Sequence, residues 1–132
     1  MGFRFEYDAT NTILLGVFEG HLTEESGAAF YAAIRQCGTA TDARAGIWDF
    51  SDVTAFTVAS DTIRRFAKQD PAMPDAANRP CFMIAPDTHL FGLSRMFQIH
   101  GEDKRPLLQV VRSLDEALAA LGVHSPNFEP LD

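Results

Sequence analysis

The chain has 132 residues, of which 46% are apolar and 22% are charged, so it is long enough for one domain with a buried core. Its formal net charge is −7 and neither half of the sequence is basic, which argues against nucleic acid or an anionic membrane surface as a main partner. The sequence contains no secretion signal and no apolar run long enough to span a bilayer, so we expect a cytoplasmic protein without stable membrane insertion.

The first half of the chain predicts a hairpin, a helix and a buried strand. Residues 3–8 alternate apolar and polar side chains, and residues 12–19 follow a short turn, a pattern typical of an antiparallel hairpin. Thr23 precedes two acids and predicts the N-cap of a first helix, which we expect to end at Gly38. Residues 45–50 form a short apolar run, as in strands that are covered on both faces of a parallel sheet.

The second half predicts alternating helices and strands. In order, these are a helix that begins near Thr57, a strand over residues 79–85, a helix from Asp87 or Thr88 to about His100, a strand over residues 107–112, and a helix that is capped by Ser113 and ends near Gly122.

The predicted order is therefore β-β-α-β-α-β-α-β-α in a single α/β domain. Alternating strands and helices favour a mixed sheet with a parallel core, to which the N-terminal hairpin adds an antiparallel edge. We place this domain at residues 1–124 and predict a loosely ordered tail over residues 125–132, which holds two prolines.

Four short motifs give the chain a family resemblance. They are GHLTEE at residues 20–25, WDFSDV at 48–53, FGLSRMF at 91–97 and VRSLDEAL at 111–118. In order and spacing they resemble the SpoIIAA-like branch of the STAS superfamily, also described as STAS/SEC14-like, over roughly residues 3–122. The resemblance implies a small α/β sandwich with helices largely on one sheet face. It also implies binding of protein partners, and some related domains bind nucleotides or lipids.

The second helix departs from the pattern of the family's phosphorylated members. Anti-sigma-factor antagonists of this superfamily carry a modifiable serine followed by glycine at the start of that helix. Here the corresponding residues 57–60 read TVAS, so the expected serine position is apolar and the glycine is absent. We therefore interpret Thr57 and Ser60 as helix-capping residues, and phosphorylation of either remains the alternative.

A polar cleft is predicted where the central strand ends beside two helix starts. In open α/β sheets, ligands gather at such strand ends. The candidate residues of this predicted cleft are Asp49, Asp52, Thr57, Ser60, Asp87 and Thr88. These residues either cap neighbouring backbone or anchor the polar part of a ligand, and the sequence leaves both interpretations open. The crowded acids disfavour binding of a phosphate.

The sequence contains no constellation that indicates catalysis, a metal or a cofactor. His89 and His100 lie eleven residues apart on one predicted helix, which is not a metal-binding spacing. Cys37 and Cys81 form no CxxC pair and lie among apolar residues, as expected of buried thiols. We therefore predict a protein that is not an enzyme and that holds no metal and no cofactor.

The third predicted helix has more apolar surface than one buried face requires. One stripe of apolar residues faces the core, and a second stripe of Phe91, Arg95 and Ile99 follows the i, i+4, i+8 spacing on the other side. This outer stripe either packs against a neighbouring helix or forms a surface for a partner protein, a second copy or a lipid-like ligand.

These observations predict a non-catalytic regulatory module that binds a partner protein, or associates with itself, through the third helix. The alternative is a carrier or sensor of a small apolar or lipid-like ligand, held in a pocket between that helix and the sheet.

Overall fold

The computed structural model describes residues 2–131, so Met1 and Asp132 lie outside the described residues. The described part folds into a mixed sheet with helices on both faces. Its elements are β1 (Phe3–Asp8), β2 (Ile13–Thr23), α1 (Glu24–Ala40), β3 (Ala45–Thr57), α2 (Ser60–Lys68), β4 (Cys81–Ile84), α3 (Thr88–His100), β5 (Leu108–Val111), α4 (Leu114–Ala120) and β6 (Glu129–Pro130). The predicted order is confirmed from β1 to α4, and β6 follows it.

The sheet combines a parallel core with an antiparallel edge. Its strands lie in the order β5-β4-β3-β2-β1-β6. β2, β3, β4 and β5 are mutually parallel, whereas β1 pairs antiparallel with β2 and β6 pairs antiparallel with β1. The predicted mixed sheet with an N-terminal hairpin is therefore confirmed.

Alternation along β2 divides the core between the two faces of the sheet. Leu14 and Phe18 point to the face that α1 and α3 cover, where the larger cluster of aromatic residues lies. Ile13, Leu15 and Val17 point to the opposite face, which α4 covers. Because successive strand residues point to opposite sides, one strand contributes to both halves of the core.

β3 is longer than predicted, because its second half remains paired with β2 after β4 has ended. The pairing of β3 with β4 ends at Asp49, whereas its pairing with β2 continues to Thr57. This two-stranded extension contains Val53 and Phe56, residue types that favour strands. The second helix therefore begins later than predicted: Thr57 ends β3, and α2 begins at Ser60.

The first helix also continues past its predicted end. Gly38 was expected to terminate it, but α1 runs to Ala40 and Gly38 is buried inside it. A Cβ atom at Gly38 would lie 3.0 Å from Pro74 Cδ and 3.1 Å from the sulfur of Met73. The glycine therefore permits close packing of α1 on a neighbouring loop instead of ending the helix.

The segment predicted as a loosely ordered tail contributes a strand. Within its described part, Glu129 pairs with Tyr7 and the Leu131 N–H donates to the Phe5 carbonyl at 3.0 Å. The N–H of Asn127 donates to the carboxylate of Asp8 at 2.9 Å.

Asp8 is the anchor for this chain end. It is fully buried, and the amide and side chain of Asn11 also donate to its carboxylate at 2.9 and 2.7 Å. Burial opposes its ionisation, but hydrogen bonds led by that of the Asn11 side chain hold the pKa of Asp8 below its usual value. The buried carboxylate is therefore satisfied and stays charged near neutral pH.

Candidate functional site

The two acids of the predicted cleft on β3 have separate surroundings. Asp49 lies where β4 ends, and its carboxylate accepts hydrogen bonds from the Ser51 N–H at 2.9 Å and the Ser51 hydroxyl at 2.5 Å. Asp52 is exposed and lies opposite Glu19 on β2. Asp49 thus stabilises the local backbone, and Asp52 faces solvent.

Thr57 and Ser60 flank the junction between β3 and α2. The hydroxyl of Thr57 lies 3.0 Å from Nε2 of His21, across the paired ends of β2 and β3. Ser60 is exposed at the start of α2, whose N-cap residue Ala59 provides no side-chain hydrogen bond. Neither residue therefore caps the helix, contrary to the sequence-based interpretation.

Asp87 and Thr88 begin α3. The carboxylate of Asp87 accepts a hydrogen bond from the Leu90 N–H at 3.0 Å, so the predicted cap of this helix is confirmed. Thr88 is exposed in the first turn. Phe56 and His89 meet with ring centroids 4.8 Å apart, which brings the end of β3 to the start of α3.

The predicted cleft is not joined by direct hydrogen bonds. Within residues 2–131, no hydrogen bond links any two of its six residues, and those of Asp49, Thr57 and Asp87 go to neighbours outside the set. The described residues also contain no group of three or more His, Cys, Asp or Glu side chains arranged to hold a metal ion. No helix among them is long and apolar enough to cross a membrane.

The outer stripe of α3 divides into a packed end and an exposed end. Phe91 is half-buried, and the guanidinium carbon of Arg112 lies 4.2 Å from the centre of its ring. Arg95 is exposed and donates to Gln98 Oε1 at 2.9 Å. Ile99 is 59% exposed, more than any other large apolar side chain of residues 2–131. Arg95 and Ile99 are therefore the accessible part of this stripe.

A mainly apolar cavity of about 160 Å³ lies between α1, α2 and α3 and the sheet face that α1 and α3 cover. Most of its wall comes from α1, α2, α3, β3, β4 and the loop between α2 and β4, and the ends of β2 and β5 and the segment after α3 also contribute. Leu90, Leu93 and Phe97 supply the α3 side, and Trp48 and Met83 lie on the sheet side. It lies where the sequence placed a pocket for the alternative function, although the sequence did not identify most of its lining.

Arg105 is a charged residue in the wall of this mainly apolar cavity. It is 8% exposed, and its guanidinium donates to the carbonyls of Ala67 at 2.7 Å and Gln69 at 3.0 Å. The guanidinium carbon also lies 4.7 Å from the centre of the Phe97 ring. Burial lowers the pKa of Arg105, but nearby groups, led by Tyr31, act in the opposite direction. Arg105 thus attaches the end of α2 to α3.

The two cysteines are free thiols in different environments. Cys81 is buried in the cavity wall, and burial raises the pKa of its thiol to about 12. Cys37 is partly buried on α1, and burial raises the pKa of its thiol as well. Because the thiolate is the nucleophilic form, Cys81 is not an activated nucleophile.

The sequence matches no family model, and it matches no curated protein. Several solved structures share its fold, however. Unphosphorylated SpoIIAA, an anti-sigma factor antagonist, aligns with a TM-score of 0.59 at 13% identity over 93% of this chain and 99% of that chain. The phosphorylated form of SpoIIAA, a Bacillus cell fate determinant, aligns with a TM-score of 0.54 at 17% identity over 90% and 98%. An anti-sigma factor antagonist from Mycobacterium paratuberculosis aligns with a TM-score of 0.53 at 17% identity over 91% of this chain and 94% of that chain. The chain has the SpoIIAA fold, as its motifs predict.

Proposed function

We propose that the chain is a non-catalytic regulatory module of the cytoplasm that binds a partner protein, or a second copy of itself, through the exposed part of α3. The observation that carries this proposal is the exposure of Ile99 beside Arg95 on that helix. Arginine is enriched among residues that dominate binding energy at protein interfaces, and an exposed apolar side chain next to it supplies area to bury.

The fold and the chemistry of the polar residues agree with this proposal. Two of the similar structures are of anti-sigma factor antagonists. By analogy, we propose that this chain also has a regulatory role, which it carries out by binding another protein. The residues that would serve as acids or nucleophiles have other roles: Asp87 caps α3, Asp49 accepts a hydrogen bond from the Ser51 backbone within β3, and Cys81 is buried.

Association of the purified protein tests self-binding, and capture from an extract tests binding of another protein. We expect Ile99→Glu or Arg95→Ala to weaken the association at least about tenfold, in line with the loss of a residue important for binding. Leu131→Ser is the matched control, because Leu131 is also an exposed apolar residue but lies beside β1, away from α3.

Sedimentation velocity and native mass spectrometry would measure the association of copies. A comparison of proteins captured by the wild type and by the Ile99→Glu variant would identify a partner that depends on α3. A monomeric wild type that captures the same proteins as Ile99→Glu would refute the proposal.

The cavity supports a second candidate function, the binding of a small apolar ligand. The pocket of about 160 Å³ is concave and mainly apolar, as binding sites for small apolar molecules are. Native mass spectrometry of freshly purified protein tests this candidate directly, because a retained ligand adds a discrete mass. The partner proposal does not depend on this result.

A further inference from the structure

We propose that the cavity binds a small organic acid, with an aromatic or short aliphatic body in the apolar part and a carboxylate directed at Arg105. This inference rests on the second candidate function and specifies its ligand class. It combines three features of the cavity: its volume, the composition of its walls and the position of a buried positive charge.

The volume limits the size of the ligand. The cavity measures about 160 Å³. An engineered apolar cavity of about 150 Å³ in another protein stays dry and binds benzene. The space therefore suits a body of one aromatic ring, or an aliphatic chain of similar volume, and it is too small to hold a whole phospholipid.

The walls favour a ring or an alkyl chain over a polar body. Aromatic side chains approach the cavity from several elements, namely Phe30, Trp48, Phe50, Phe66 and Phe97. Such rings pack against a ligand ring in edge-to-face or offset arrangements that add to the gain from burying apolar area. A sugar or a nucleotide would leave many polar groups without partners here.

The positive charge of Arg105 favours a ligand that carries a negative charge at one end. Its described hydrogen bonds go to neutral backbone carbonyls of α2 and the residue after it. Within residues 2–131, no carboxylate lies within 4.0 Å of its guanidinium nitrogens. Asp70 and Asp103 act on this charge only from beyond that distance. A ligand carboxylate in direct contact with the buried guanidinium therefore gains more than it would beside an exposed arginine. Arg79, which is half-buried, adds a second positive group to the wall.

Calorimetric titration with phenylacetate and with 2-phenylethanol would test the inference. The two probes share a ring and a similar length, but only phenylacetate carries a charge at neutral pH. We expect phenylacetate to bind at least about tenfold more tightly, because a hydrogen bond to a charged group contributes more than one to a neutral group. The comparison uses the wild-type protein, so it does not depend on whether an Arg105 variant folds.

Two neighbouring variants on α3 locate the binding. Leu93 lines the cavity, so Leu93→Trp should fill it and abolish binding of phenylacetate. Gly92→Ala is the matched control, because an added Cβ there has no heavy atom within 4 Å, and it should leave the affinity unchanged. Circular dichroism would verify that both variants are folded.

Each contrary result has a distinct meaning. Equal affinity for both probes would overturn the role of Arg105 but leave the ligand function in place. Binding that survives in Leu93→Trp would overturn the assignment to the cavity. Failure of both probes to bind the wild type would overturn the acid ligand, and absence of any retained mass in fresh protein would then count against the ligand function itself.

Discussion

Replacing Phe91 or Ile99 by alanine would show which residue of the outer stripe of α3 contributes to stability by packing and which is only exposed surface. Truncating a fully buried Phe costs about 3–5 kcal/mol, and a half-buried ring loses about half of that. Loss of the Arg112 contact adds about 0.5–1 kcal/mol for an exposed cation–π pair. We therefore expect Phe91→Ala to lower the free energy of unfolding by about 2–3.5 kcal/mol. Ile99→Ala should lower it by less than about 1 kcal/mol, because Ile99 is 59% exposed and alanine favours helices.

Urea unfolding, followed by circular dichroism at constant pH, would measure both changes. A double-mutant cycle with Arg112→Ala isolates the contact between Arg112 and Phe91, for which we expect a coupling energy of about 0.5–1 kcal/mol. Equal destabilisation by Phe91→Ala and Ile99→Ala would refute the division of this stripe. Zero coupling between Phe91 and Arg112 would refute the stacking of the guanidinium on the ring.

Three further predictions concern the core and the chain end. Gly46→Ala should destabilise the protein by about 1–3 kcal/mol in urea unfolding, because the added Cβ would lie 2.4 Å from the Trp48 ring. Under native conditions a disulfide reagent should modify Cys37 before Cys81, whose thiol is buried and has a pKa raised to about 12; equal rates would contradict this. Asp8→Asn should destabilise the protein at pH 7. Because folding lowers the pKa of Asp8, its carboxylate stabilises the folded state above the unfolded pKa of about 4, and this stabilisation is lost as pH falls through the folded pKa. The free energies of unfolding of the wild type and the variant should therefore converge in acid.

Local chemistry explains why the starts of α1, α3 and α4 could be predicted, whereas that of α2, whose N-cap Ala59 forms no side-chain hydrogen bond, could not. The hydroxyl of Thr23 accepts from the Ser26 N–H at 3.0 Å, and the carboxylate of Asp87 accepts from the Leu90 N–H at 3.0 Å. Ser113 forms the same bond with the Glu116 N–H at 3.2 Å. Each cap joins residues three positions apart, so its chemistry can be read from a short stretch of sequence.

Long-range contacts explain what the sequence did not predict. The anchor that orders the chain end joins Asp8 to Asn127, 119 positions apart. Arg105 follows a lysine and precedes a proline, a context typical of an exposed loop, yet it is buried against carbonyls that lie 36–39 positions earlier. No local pattern marks such residues, because their partners are defined only by the folded chain.

The two proposed binding surfaces lie on different sides of one helix and need not compete. Leu93 and Phe97 line the cavity, whereas Arg95 and Ile99 are exposed. Two residues along an α-helix correspond to a rotation of about 200°, which places Arg95 nearly opposite Leu93. Likeness in fold at 13–17% identity cannot choose between the surfaces, because it concerns the backbone and these surfaces are made of side chains. Variants at Leu93 and Ile99 would distinguish the two surfaces, since each variant removes one surface and leaves the other in place.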